Sequence, residues 1–502
     1  MNHPGTDTWP GSTTGEGVAS ARHHEVIILG AGFAGIGAAI MLRKADIDFV
    51  VLEKALSVGG VWRENTYPDC ACDVPSAFYC YSFAPNPAWS HLFAKQPEIK
   101  RYAQDTVART GIDDAIRFGH ELQAARWNAS SALWELETCA GPYTARFIIV
   151  ATGPMHEPVT PALPGLDSFR GERFHSAHWD HGVDLRGKRV AVIGTGASAI
   201  QFVPAIQPLA ASLTVFQRSA PWVLPKLDAR ISARWQRRFA RFPVLQSALR
   251  GLLSLQFELL NSSVQRPRAR RRLERAALRN IHSAVRDPAL RARLTPDFDI
   301  GCKRILQSNS WYPALAQPNV TVSSDVREVR GNTLIAGDGS AHEADVIIFG
   351  TGFKVAEPPI AARITGASGR TLADLWNGSP EAYLGTTVPD CPNCFFTLGP
   401  NLYAFSSAFV MIEAQVEYIL GALRHAQEHG VQSLRPRAQT VADYNRELQD
   451  ALEKSVFNAG GCSSYFIDRN GRNSTNWPWS IRELRRRLQR FDAAAYETEP
   501  QP

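Results

Sequence analysis

Two short glycine-rich turns constrain the fold of this 502-residue chain more than anything else in it. HEVIILGAGFAGIGAAIMLRKADIDFVVLEK (24–54) runs in a fixed order: the apolar run VIIL, the turn GAGFAG, a helix pattern, then DFVVLE ending in Glu53. GKRVAVIGTGASAIQFVPAIQPLAASLTVFQRSAPW (187–222) repeats the plan with the turn GTGASA. G-x-G-x-x-[GA] between a buried strand and a helix predicts a dinucleotide-binding βαβ unit. Gly30 and Gly194 make the tight turn, and Gly32 and Gly196 let the backbone approach a pyrophosphate. Gly35, replaced by Ala199 in the second unit, lets helix and strand pack closely. Each helix then turns free N–H groups and a positive dipole end toward the phosphates, with Ser198 among the binding residues of the second turn.

The two units differ at the end of their second strand. Glu53, 23 residues after Gly30, can accept hydrogen bonds from ribose hydroxyls. The same count from Gly194 reaches Gln217, followed by Arg218 and Ser219. A carboxylate there would repel a 2′-phosphate, whereas a guanidinium and a hydroxyl bind one. The first site therefore suits a dinucleotide with free ribose hydroxyls and the second NADPH. Two different dinucleotides in one chain imply electron transfer between them, and FAD in the first site with NADPH in the second is the economical assignment.

Two further apolar strands ending in [AG]-T-G, RFIIVATGP (146–154) and ADVIIFGTGF (344–353), suit chain passages close to a cofactor. The expected fold is α/β, with two Rossmann-like domains and a helical insertion. Residues 24–155 form the first part of the FAD domain and 156–186 a linker. Residues 187–345 form the NADPH domain, and 346–502 return to the FAD domain. Within the second domain, about 228–295 is rich in Arg, Leu and Ala and reads as the helical insertion. Its run RPRARRRLERAALR (266–279) reads as the solvated face of a helix.

Residues 1–23 read as a disordered tail without the apolar core of a signal peptide, so the expected address is the cytoplasm. The stretch 406–426 comes nearest to a membrane span, but Glu413 and Glu417 interrupt it, and it reads as an interior helix. A net charge of +6 is modest for a nucleic-acid binder. Eight cysteines in so long a chain do not form a disulfide framework. The pairs Cys70/Cys72 and Cys391/Cys394 read as reduced thiols, and no metal site is expected.

Between the two turns lies FRGERFHSAHWD (169–180), which matches F-x-G-x-x-x-H-x-x-x-W-[PD] through Phe169, Gly171, His175, Trp179 and Asp180. This pattern, in this place, resembles the fingerprint of the type I Baeyer–Villiger monooxygenases. A second family pattern runs through GGVWRENTYPDCACD (59–73) at Gly59, Gly60, Trp62, Tyr67, Pro68 and Asp73. It departs at Asp69, where the family usually has Gly or Met. The resemblance extends through GCKR (301–304) and GGCSSYFIDRNGRNSTNWP (460–478) and covers 24 to about 490.

The resemblance implies that NADPH reduces FAD, and that the flavin then forms a C4a-peroxide with O2. That species inserts one oxygen atom beside a ketone carbonyl to give an ester or lactone. It implies Arg304 as the catalytic cation and Asp73 as the carboxylate that orients it. Trp62, Tyr79 and Asp73 fall with the flavin-side residues. Lys303 joins Arg218 and Ser219 at the 2′-phosphate. The fingerprint segment is expected to be a hinge, and His175 is given no acid–base role. The small-molecule partners are a ketone and O2, and the oligomeric state stays open. The nearest alternative is a flavin monooxygenase that oxidises nitrogen or sulfur, whose relatives carry another aromatic at the position of Trp179. A flavin disulfide reductase would need a redox cysteine pair that neither dinucleotide unit carries.

Overall fold

The computed structural model describes residues 21–500. The expected tail lies outside them apart from its last residues, and Arg22 and His23 already belong to the first strand, Arg22–Leu29. The last four residues of that strand are all buried. Val26 and Ile28 enter one hydrophobic core and Ile27 and Leu29 another. A central parallel strand covered on both faces is therefore apolar without alternation. Its parallel neighbours are Phe49–Glu53 and Gly141–Val150. Ile116–Phe118 extends one side of this sheet, and the antiparallel strands Leu133–Thr138 and Leu122–Asn128 extend the other. The helix Phe33–Lys44 covers one face and packs against the long helix Ala408–Glu428. That second helix contains all but the first two residues of the stretch expected to be interior, 406–426, and most of its residues are buried. Among the described residues no helix is long and apolar enough to cross a membrane.

The second sheet has five parallel strands in the order Val320–Ser323, Ser212–Phe216, Arg189–Ile193, Val346–Phe349, Glu172–His175. Two expected boundaries need correction. Val346–Phe349 belongs to this sheet and not to the returning FAD domain. The segment 156–186 is not free linker throughout, because Glu172–His175 forms the sheet's edge strand. A buried strand followed by G-T-G looks alike in either sheet, so only pairing distinguishes them. The chain returns to the first sheet with Ile364–Thr365 on the strand Leu122–Asn128, and with Cys394–Phe396 beside the end of Gly141–Val150.

The segment 228–295 contains the helices Ala233–Arg241, Pro243–Gln265, Pro267–Ala284 and Pro288–Leu294. Three of them open with proline, whose fixed φ and missing N–H suit the first helical position. These helices lie across the first domain: Phe257 packs on Phe78 with ring centroids 5.5 Å apart, and Ile481 N donates to Glu258 at 3.0 Å.

Cys302 and Cys462 form a disulfide across 160 residues of sequence, a pairing the sequence did not indicate. Cys70, Cys72, Cys391 and Cys394 are buried free thiols.

Candidate active site

A cavity of about 630 Å³ runs between the two sheets. Its wall includes Gly30, Gly32, Glu53, Trp62, Asp73, Tyr79 and Arg304, and from the second unit Ala197, Ser198 and Gln201. Gly194, Gly196, Arg218, Ser219, Lys303 and the five fingerprint residues do not line it.

Gly30 and Gly194 hold matching conformations, φ +105° and +106°, which disfavour any residue with a Cβ. A Cβ on Gly35 would stand 1.9 Å from Gly30 O, so the helix can approach its own turn only without one. Gly32 and Gly196 differ. A Cβ would meet nothing nearer than Gly60 Cα at 3.7 Å in the first case and Gly350 O at 3.8 Å in the second. Both are ordinary contacts, so the protein does not itself require glycine there; a pyrophosphate approaching the backbone does. The helices that follow, Phe33–Lys44 and Ala199–Ile206, have no side-chain cap and no acid in the first turn. Their first N–H groups are therefore open to an anion. On this chemistry the residues fit two dinucleotides.

Glu53 is buried and receives the N–H of Ala31 at 2.7 Å and of Ala55 at 2.9 Å. Arg63 Nη1 adds a bond of 3.3 Å. A carboxylate has about four acceptor sites, so capacity for ribose hydroxyls remains. Trp62 Nε1 donates to Tyr79 OH at 3.0 Å, which fixes two aromatic rings edge to face on the cavity wall. At Asp69 the backbone is left-handed, φ +61°, which explains a glycine preference at this place. Aspartate tolerates that region better than most residues and here also pairs with Lys95 at 2.9 Å.

Arg304 Nε and Nη2 both donate to Asp73 Oδ2, at 2.9 and 2.5 Å. Burial, the largest influence, pulls the Arg304 pKa down. Asp73, followed by the Tyr403 and Tyr465 hydroxyls, outweighs it, so the pKa lies well above the ordinary arginine value. The guanidinium also stands 5.9 Å from the centroid of the Tyr403 ring. The result is a permanent, oriented cation at the cavity wall.

The 2′-phosphate candidates form a separate cluster. Lys303 Nζ donates to Ser219 Oγ at 2.6 Å. Burial first, and then repulsion from Arg218, lower the Lys303 pKa. Among the described residues neither cation forms a salt bridge, so an anion placed there would relieve their repulsion. Gln217, standing where the first unit has its acid, is buried and donates to Arg293 O at 2.9 Å.

The fingerprint residues form a scaffold. A Cβ on Gly171 would lie 2.1 Å from Asp345 O, so the edge strand can enter only at a glycine. Phe169 is buried, and Trp179 packs between Phe174 and Phe202. Asp180 Oδ1 accepts from Gly182 N at 2.8 Å. His175 Nδ1 accepts from Ala177 N at 3.0 Å, while its buried Nε2 has no protein partner. The passages that join the two halves lie beside it. Val159 N donates to Gly352 O, and Lys354 N to Glu157 O, both at 2.9 Å.

Gln201 was not singled out from the sequence. Its amide accepts from Tyr67 OH and Ala71 N and donates to Ala71 O, at 3.1–3.2 Å, clipping the second unit to the first. Its only sequence signal was its place in the helix that follows the second glycine turn.

The profile of the family described as pyridine nucleotide-disulphide oxidoreductase matches residues 27–248. A Baeyer–Villiger monooxygenase of Streptomyces coelicolor is 47% identical over 481 residues, covering 95% of this chain and 93% of the relative. Cyclohexanone monooxygenase from Rhodococcus sp. Phi1 bound to NADP+ is 26% identical, with a TM-score of 0.85 over 96% of this chain and 100% of that one. OTEMO in complex with FAD and NADP is 25% identical, with a TM-score of 0.86 and the same coverage. With both nucleotide turns and the oriented arginine in one molecule, and with relatives this close over nearly its whole length, the chain belongs to the Baeyer–Villiger monooxygenases.

Proposed function

We propose that the protein uses O2 and NADPH to insert one oxygen atom beside the carbonyl of an apolar ketone, giving an ester or lactone, with Arg304 and Asp73 as the residues that support the chemistry. The observation that carries the assignment of roles is the Arg304–Asp73 fork, made across 231 residues of sequence on the cavity wall. FAD, held by the first turn, Glu53, Trp62 and Tyr79, supplies the oxygen chemistry, and NADPH, held by the second turn with Arg218, Ser219 and Lys303, supplies the hydride.

Arg304 stabilises negative charge on the carbonyl oxygen of the substrate as it develops. A fixed cation in a partly buried site does this without reorganising. Because it keeps its proton at neutral pH, it does not act as an acid. Asp73 takes two N–H groups of the fork on one oxygen, which fixes the plane of the guanidinium. Leu398, Leu402, Tyr403 and Phe409 line the same cavity and exclude water from it. These walls suit a ketone with a hydrocarbon body.

The test supplies holoenzyme with NADPH, 18O2 and a panel of cyclic, aryl and steroid ketones. Ester or lactone carrying one 18O atom is expected from at least one of them. Arg304→Ala is expected to retain FAD and abolish the product. Oxidation of NADPH to NADP+ with O2 reduced only to hydrogen peroxide, with every ketone, would overturn the reading.

A further inference from the structure

We propose that the helical insertion is a docking face for an anionic phospholipid surface. The helix Pro243–Gln265 packs Leu253 and Phe257 against the first core and turns a second apolar stripe outward. Its buried residues are Gln246, Asn261 and Val264. Leu252, Leu255 and Leu259 are 63%, 56% and 60% exposed, and Val244 is 70% exposed. The three leucines are spaced by three and four residues, so they form one stripe. This orientation is held by specific polar contacts on the inner side. Gln246 Nε2 donates to Asn86 O at 2.7 Å, Arg250 Nη1 to Cys80 O at 2.6 Å, and Asn261 Nδ2 to Trp479 O at 3.2 Å. A rotation that buried the leucines would break all three.

The stripe is not scattered surface apolarity. Of the 12 exposed large hydrophobic residues among those described, 8 lie between Leu227 and Leu259, so most of them are concentrated in one stretch of the chain. This stretch includes Trp235 and Phe242, whose rings carry Arg238 and Arg241 at 4.9 and 5.5 Å. Aromatic rings with a polar side suit the boundary between headgroups and acyl chains.

Charge selects the partner. Residues 230–293 hold 16 arginines, no lysine and 3 acids, although the whole chain is only +6. The insertion is therefore strongly cationic and the rest of the chain net negative. Arg234, Arg237 and Arg241 precede the stripe and Arg268, Arg271 and Arg272 follow it, and all six are exposed. An apolar stripe flanked by arginines combines acyl-chain burial with attraction to acidic headgroups. A second copy would bring two such cationic faces together. A nucleic acid would answer the arginines and leave the leucines in water.

The experiment sediments FAD-loaded enzyme with vesicles of phosphatidylcholine, with and without phosphatidylglycerol. The protein is expected to pellet with the acidic vesicles only, and to be released by salt. Leu252→Ser/Leu255→Ser/Leu259→Ser and Arg268→Gln/Arg271→Gln/Arg272→Gln are each expected to weaken that binding by about tenfold or more. Both variants keep their FAD and their basal NADPH oxidation, which excludes misfolding. The proposal is overturned by binding that ignores phosphatidylglycerol, by no binding, or by a leucine variant that binds like the parent. It is equally overturned if light scattering finds a dimer that the leucine variant splits while vesicles capture nothing; the face would then be a contact between copies.

Discussion

Arg304 is held by geometry as much as by charge. Lysine at 304 would keep a positive charge but lose the two-pronged grip on Asp73. Arg304→Lys is expected to lower ester formation by about 100-fold, the range seen for a lost oxyanion donor, while NADPH still reduces the flavin. Steady-state product analysis beside anaerobic flavin reduction checks this. Arg218→Gln removes one of the two cations at Ser219 and is expected to raise the KM for NADPH by about tenfold or more, with little change for NADH. His175 gives a pH prediction. Burial first, and then His178, depress its pKa from 6.5 to about 4. Its contribution to stability is full above pH 6.5 and is lost as pH falls toward 4, by roughly 3 kcal/mol at most. His175→Gln is expected to flatten that part of the stability profile in denaturant titrations. At this scale the glycines and Glu53 were legible from their order along the chain. Asp73 and Arg304 were not legible from spacing, because nothing local relates residues 231 apart; they became readable through the two motifs that carry them. Gln201 was missed because an amide in a helix has no pattern of its own.

The two glycines of the first unit separate binding from folding. Gly35→Ala forces a Cβ against Gly30 O and is expected to destabilise the protein even without FAD, by about 1–3 kcal/mol or more. Gly32→Ala meets no protein atom closer than 3.7 Å and is expected to leave the fold intact while weakening FAD retention. Thermal melts of apo and holo protein distinguish the pair. The Cys302–Cys462 bridge ties the GCKR segment, at the residue immediately before Lys303 and Arg304, to the carboxyl-terminal segment. Cys302→Ser/Cys462→Ser is expected to cost about 2–4 kcal/mol by freeing the unfolded chain, read as a lower melting temperature that reductant does not lower further. The strands and helices around both turns were legible because periodicity and turn chemistry agree there. Strand membership was less so. Val346–Phe349 read correctly as an apolar strand, whereas Glu172–His175 read as part of a linker and is an edge strand, because partnership in a sheet is set by contacts distant in sequence.

The whole molecule is two nucleotide-binding bodies, one set inside the other, with a cationic helical layer across them. The layer was legible as helix from its composition. Its outward leucines were not, because periodicity defines a face without saying which way it turns. The nesting bears on synthesis. Gly141–Val150 is completed along its last residues by Cys394–Phe396, and the Trp134 indole bonds to Pro392 O, a partner 258 residues later. Until those residues leave the ribosome, the first sheet stands with an open edge at Ile148–Val150. At roughly 5–20 residues per second, that interval lasts from over ten seconds to most of a minute. The inner body can close within it, since its five strands all lie before residue 350. The nascent chain therefore carries a finished second domain on an unfinished first one, and the exposed edge, rather than either core, is where a chaperone would have work to do.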